Sequence, residues 1–262
     1  GRVFGSYEVH STGGGSLSDD AMSPDVYPLN TMHACLDRCN ETGTTFWEFV
    51  GECEGDEIWA FFGGVRETMR SAIESGARAE GVLPGGLGVP RKARSLHRKS
   101  MTLAPAFRKD GLLAAYAYAV AEENASGGRI VTAPTCGSSG VLPAVLHYSA
   151  GALECSETDI HRAIATAGLV GNIVKRNASI SGAVVGCQGE IGVACAMAAA
   201  AATQLMGGSP AQIEYAAEMG LEHHLGLTCD PVLGLVQIPC IERNAHAAAR
   251  AMYCASFALL SD

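Results

Sequence analysis

The stretch at 191–206, IGVACAMAAAAATQLM, constrains this chain more than any other segment. It is apolar on every side, so a helix there has no solvent face and must lie inside a fold. It is interrupted by Thr203 and Gln204 and falls short of the ~18 to 20 apolar residues of a membrane span. Because its side chains are mostly alanine methyls, its neighbours must approach closely rather than interlock through large side chains. The composition agrees, with aromatics at 6%, hydrophobic residues at 48% and 32 glycines. The expected fold class is therefore mainly α, a single compact multi-helix domain with Gly-rich active-site loops and a short extended N-terminal segment. A chain of 262 residues can bury such a core without disulfides or a structural metal.

Apolar residues recur at helical spacing over 29–40, 56–79, 110–124 and 245–260. Ser156 with Asp159 and Ser209 with Gln212 carry capping patterns, the second with Pro210 at the first helical position. Residues 81–90 hold too much Gly and Pro for a regular element, and 129–132 reads as a short extended piece. Residues 2–10 alternate like a strand and Gly13, Gly14 and Gly15 end it. We read 1–20 as an extended remnant of a linker or preceding domain, and 21–262 as one helical domain.

The net charge of −9 argues against a nucleic-acid partner, which requires a clustered basic surface. The one basic run, Arg91 to Lys99, reads as a solvated helix face, with an anion-binding patch as the alternative. There is no secretory signal at Gly1 and no membrane span, so the expected location is cytoplasmic with no membrane partner. Ten cysteines in a reducing compartment point to metal, redox or plain core roles rather than disulfides.

Four glycine-bearing segments carry the chemistry: 132–140, 177–182, 186–190 and 226–240. Cys229 and Cys240 sit eleven residues apart, each beside a proline that fixes a turn. Cys187 lies between glycines at the start of the apolar helix, where free N–H groups favour negative charge. By spacing alone these three read as core thiols ahead of cluster ligands, because no C-x-x-C pair and no ferredoxin or zinc-finger spacing is present. GSSG at 137–140 feeds an apolar helix and offers N–H groups and hydroxyls to a carboxylate or phosphate, or is an ordinary helix start. It is not followed by the Lys of a P-loop. His223 and His224 read as structural residues near a helix end.

Several of these segments resemble one family. TAPT at 132–135, NASISGA at 177–183, GCQGE at 186–190, GLTCDP at 226–231 and QIPCIERN at 237–244 are similar to the catalytic alpha domain of iron–sulfur L-serine dehydratases, a likeness running from about residue 13 to 262. The resemblance implies a [4Fe-4S] cluster on Cys187, Cys229 and Cys240, no pyridoxal phosphate, and conversion of L-serine to pyruvate and ammonia. Cys35, Cys39, Cys53, Cys155, Cys195 and Cys254 keep the core reading, and Cys136 is a loop residue. The substrate carboxylate is expected on Thr135, Ser138, Ser139 and the amides of Gly137 and Gly140, with Ser179 and Ser181 as further contacts. His147, His223 and Lys175 are candidate bases by type alone. The resemblance also implies an N-terminal α/β regulatory domain, fused or separate, which this chain lacks, and a homo-oligomer. An iron–sulfur L-cysteine desulfidase, a non-catalytic metal or thiol protein, and an inert helical subunit are the alternatives.

Overall fold

The computed structural model describes residues 26–261 and the backbone of 11–13 and 16–17. Ser11–Gly13 (β1) and Ser16–Leu17 (β2) pair antiparallel, Ser11 opposite Leu17. The strand expected over 2–10 lies outside the described residues. All other elements among the described residues are helical. They are α1 (Met32–Thr42), α2 (Phe46–Glu54), α3 (Glu57–Arg78), α4 (Ala93–Thr102), α5 (Pro105–Ala125), α6 (Val141–Ala152), α7 (Glu157–Asn177), α8 (Gly182–Val185), α9 (Val193–Leu205), α10 (Pro210–Glu222) and α11 (Cys240–Leu260). A π-helical turn at Gln188–Gly192 leads into α9, and a 3-10 turn at Val232–Gly234 precedes α11.

The mainly α expectation holds, and the alanine-rich stretch is the axis of the fold. Every residue of α9 from Val193 to Thr203 is buried, with α6, α7, α10 and α11 packed around it. Close approach is achieved with glycine. A Cβ on Gly220 of α10 would stand 3.1 Å from the Ala196 Cα of α9, and one on Gly76 of α3 only 2.1 Å from the Ala119 carbonyl oxygen of α5. Some of the few aromatics pack together at α2 and α3, where Trp59 of α3 meets Trp47 of α2 and Phe62 of its own helix edge-on, ring centroids 6.0 Å apart in both pairs.

Both expected capping boxes are present. Asp159 N–H donates to Ser156 Oγ at 3.2 Å and Ser156 N–H to Asp159 Oδ2 at 3.1 Å. The Ser209–Gln212 pair repeats the pattern at 3.3 and 3.0 Å. The basic run forms α4, and its charges serve the fold. Arg91 pairs with Glu123 at 3.1 Å and Arg94 with Glu80 at 2.7 Å. The buried Glu122 of α5 accepts the Lys92 and Ala93 N–H groups at 2.6 and 3.3 Å, an anion placed at the α4 N-terminus.

Three details differ from the sequence reading. α2 was not anticipated, because nine residues show too little period. Helices α5 and α11 each begin five residues before the stretches read as periodic (105 against 110, 240 against 245), since the signal is weak in the first turns. Residues 129–132 form no strand, having no partner to pair with, and the nearest extended pairing is the single bridge Val82–Pro90. Among the described residues no helix is long and apolar enough to cross a membrane.

Candidate functional site

The four glycine-bearing segments gather where α9 and α11 begin. Gly186 adopts φ +78°, and a Cβ there would stand 2.7 Å from the Leu227 carbonyl oxygen, so only glycine lets the two loops pass. Gln188 joins them, its N–H donating to Leu227 O at 3.0 Å and its Oε1 accepting the Gly226 N–H at 2.9 Å. Arg243 of α11 adds a bond from Nη1 to Thr228 O at 2.8 Å. These ties place Cys187 beside Cys229.

The ligand atoms of Cys187, Cys229 and Glu190 all lie within 4.8 Å of one another. Cys240 is outside that group but follows the cis Ile238–Pro239 bond as the first residue of α11. It is close enough that the charges of Cys229 and Glu190 raise its pKa, although burial is the larger cause. The Cys187 thiol is pushed up to about 12, first by burial and then by Cys229, while Arg243 beside it pulls the other way. Cys187 and Cys240, both held protonated by burial and by Cys229, stand with Glu190 in a donor set that a thiophilic cation would relieve.

The 132–140 loop faces this group. Thr135 Oγ1 donates to Glu190 Oε1. Asn244 of α11, wholly buried, holds the far end: its Nδ2 donates to Gly137 O at 2.8 Å and Cys240 O at 2.9 Å, and its Oδ1 accepts the Gly140 N–H at 2.9 Å. One amide thus fastens the loop to the turn that carries Cys240. Among the described residues the N–H groups of Cys136, Gly137 and Ser138 have no protein acceptor.

The residues expected around the substrate are divided by these contacts. The Gly140 amide is occupied by Asn244. Ser138 is fully buried, with its hydroxyl 3.1 Å from Thr135 Oγ1, and Ser139 is fully buried with an unpartnered Oγ. Ser181 is buried at the start of α8, its N–H donating to Ser179 Oγ at 3.1 Å. The candidate bases are not gathered with the thiols. His147 on α6 packs edge-on against Tyr116 with ring centroids 4.5 Å apart, Lys175 is exposed on α7, and His223 hydrogen-bonds the Met219 carbonyl. All ten cysteines are free thiols. Cys195 and Cys254 form a second pair, buried between α9 and α11, whose sulfurs interact.

Four residues of the site escaped the sequence reading: Glu190, Gln188, Arg243 and Asn244. All lie inside motifs that were singled out, yet their partners are distant in the chain, Thr135 from Glu190 and Gly140 from Asn244. The π-helical turn between Cys187 and α9, a feature frequent at functional sites, has no sequence signature.

Residues 23–262 match the family model described as serine dehydratase alpha chain. The chain is 45% identical to an L-serine dehydratase of Streptomyces coelicolor, over 97% of this chain and 59% of that protein. It is 46% identical to L-serine dehydratase 1 of Escherichia coli (98% and 61%) and 44% identical to an L-serine dehydratase of Haemophilus influenzae (95% and 59%). The chain spans about three fifths of the length of these relatives. By the extent of the family match, it belongs to the serine dehydratase alpha chain family.

Proposed function

We propose that this chain is the catalytic part of an L-serine dehydratase that deaminates L-serine to pyruvate and ammonia. The observation that carries the reading is the meeting of Cys187 and Cys229 within 4.8 Å, joined through Glu190 and Thr135 to a loop of free amides.

The donor set fits a [4Fe-4S] cluster, with Cys187, Cys229 and Cys240 as its holders and no role for pyridoxal phosphate. When bound, the cluster supplies Lewis acidity that makes the β-hydroxyl of serine a better leaving group. The chain's own residues do the rest. The free amides of Gly137 and Ser138 suit the substrate carboxylate, as unpaired N–H groups in a turn do. Asn244 keeps that loop in register with Cys240, so binding and metal-holding groups are fixed by one side chain. Arg243 at Cys187 offsets part of the negative charge gathered there. Ser179 and Ser181, before α8, are proposed as further substrate contacts. Loss of the α-proton and of the β-hydroxyl, together one water, leaves aminoacrylate, and hydrolysis of its imine tautomer in water gives pyruvate and ammonia.

The greater length of the relatives supports a further domain in the working protein. We place the helical catalytic domain at 21–262 and expect an N-terminal α/β regulatory domain, fused or separate, and a homo-oligomer.

The test is anaerobic iron–sulfur reconstitution followed by pyruvate release, with L-serine and L-cysteine assayed in parallel and with the rest of the full-length protein present. Pyruvate from L-serine is expected. Turnover of L-cysteine alone would replace this reading with a desulfidase.

A further inference from the structure

A zwitterionic substrate needs a counter-charge for its ammonium as well as donors for its carboxylate, and the loop amides provide only the second. We propose that Glu190 is the recognition residue for the α-ammonium group of the substrate. The inference rests on the dehydratase reading and adds a specificity determinant to it.

Three features of Glu190 support the assignment. The first is electrostatic: among the described residues no Lys, Arg or His forms an ion pair with it. A half-buried carboxylate without a cation of its own is stabilised by one that a ligand brings. The second is steric. A Cβ on Gly137 would stand 3.0 Å from Glu190 Oε1, and one on Gly182 would stand 2.1 Å from Oε2. Glycine at both positions leaves room for the carboxylate between the substrate loop and the start of α8, beside the Cys229 sulfur, which is 3.3 Å from the same Gly182 Cβ position.

The third is the direction of one hydrogen bond. Thr135 has a single hydroxyl proton and gives it to Glu190. Its oxygen can then only accept, and the Ser138 hydroxyl 3.1 Å away fills one lone pair and leaves one. An acceptor beside an anion suits N–H donors and repels a carboxylate. This reassigns Thr135, expected from the sequence to hold the substrate carboxylate, to the amino end. The carboxylate is left to the free amides of Gly137, the loop glycine that Glu190 touches, and of Ser138 next to it. A substrate with both groups is thereby oriented end to end.

The experiment compares L-serine with 3-hydroxypropanoate, which is serine without its amino group, in the cluster-loaded protein and its Glu190→Gln variant. KM for L-serine and Ki for 3-hydroxypropanoate are measured together with iron and sulfide content. The proposal expects KM for L-serine to rise about 10- to 100-fold, the range of a lost charged hydrogen bond, with Ki for 3-hydroxypropanoate unchanged or lower. Glu190→Asp, which keeps the charge, should recover part of the loss. Equal weakening of both ligands, a fall in kcat with KM unchanged, or loss of iron from the variant each overturns the proposal. A wild-type protein that carries the cluster but turns over no L-serine rejects the dehydratase reading itself, an outcome visible before any variant is made.

Discussion

The helices α9 and α11 carry two sets of thiols whose surroundings could hardly differ more. Cys195 and Cys254 are buried between them, Cys195 among the alanines of α9, and they act on each other more strongly than the nearby Arg250 acts on either. Cys187 and Cys240 stand at the starts of the same two helices, where glycine and proline turns, a carboxylate, a guanidinium and an amide side chain surround them. In the core, burial keeps Cys195 protonated and the pair behaves as packing. At the rim the backbone opens, groups from distant loops meet, and thiols stand beside a carboxylate and each other. The residue type is the same, and the difference comes from the chain around it.

Adding one methyl to each region tests that contrast most strongly. Gly182→Ala pushes a Cβ into Glu190 and Cys229. We expect activity to fall about 100-fold or more with the melting temperature little changed, since misplacement of this order disrupts a site without unfolding it. Gly76→Ala drives a Cβ against the Ala119 carbonyl in the helix core, and should cost about 1 to 3 kcal/mol of stability while metal content per folded chain is retained. Denaturant melts beside iron assays measure both. A Gly182→Ala protein that unfolds but keeps its iron would erase the distinction.

Asn244 belongs to both regions, since it is fully buried yet binds the substrate loop. Asn244→Ala leaves the Gly140 N–H and the Gly137 carbonyl without partners, so stability should drop by about 1 to 3 kcal/mol and turnover should drop with it. An effect on only one of the two would assign it to one region.

Cys195→Ser replaces a buried thiol by a more polar hydroxyl whose partner is the Cys254 sulfur. A loss of about 1 kcal/mol is expected, with cluster content intact, as read by thermal melts and iron analysis.

The smallest expected effect is a pH dependence of the metal-free chain. The folded pKa of Cys187 is raised, so its neutral form is favoured by folding. Its contribution to stability is complete below the ordinary thiol value of 9.0 and is lost as pH rises towards about 12. Cys187→Ser should flatten that alkaline slope in denaturant melts, and an unchanged slope would show that the thiol ionises as freely as in the unfolded chain.

Much of the core was readable from the sequence because it obeys local rules. The alanine run announced a buried helix, and Ser156 and Ser209 announced their helix starts. The thiols were readable only through motif resemblance, because the distance in space between Cys187 and Cys229 is decided by Gly186, Gln188 and Leu227 acting together. Glu190 was quoted within a motif without a role, since its hydrogen-bond partner lies 55 residues away. Such pairings are products of tertiary packing, which no period or cap encodes.

The account's central claim is that the three rim cysteines, and not the core pair, hold an iron–sulfur cluster. Iron and acid-labile sulfide per chain, measured after anaerobic reconstitution of the wild type and of Cys187→Ser, Cys229→Ser, Cys240→Ser and Cys254→Ser, test it directly. The account expects about four of each in the wild type and in Cys254→Ser, and loss of the cluster in the other three. Zinc without iron in the wild type, or a full cluster retained by any of the three rim variants, would contradict it.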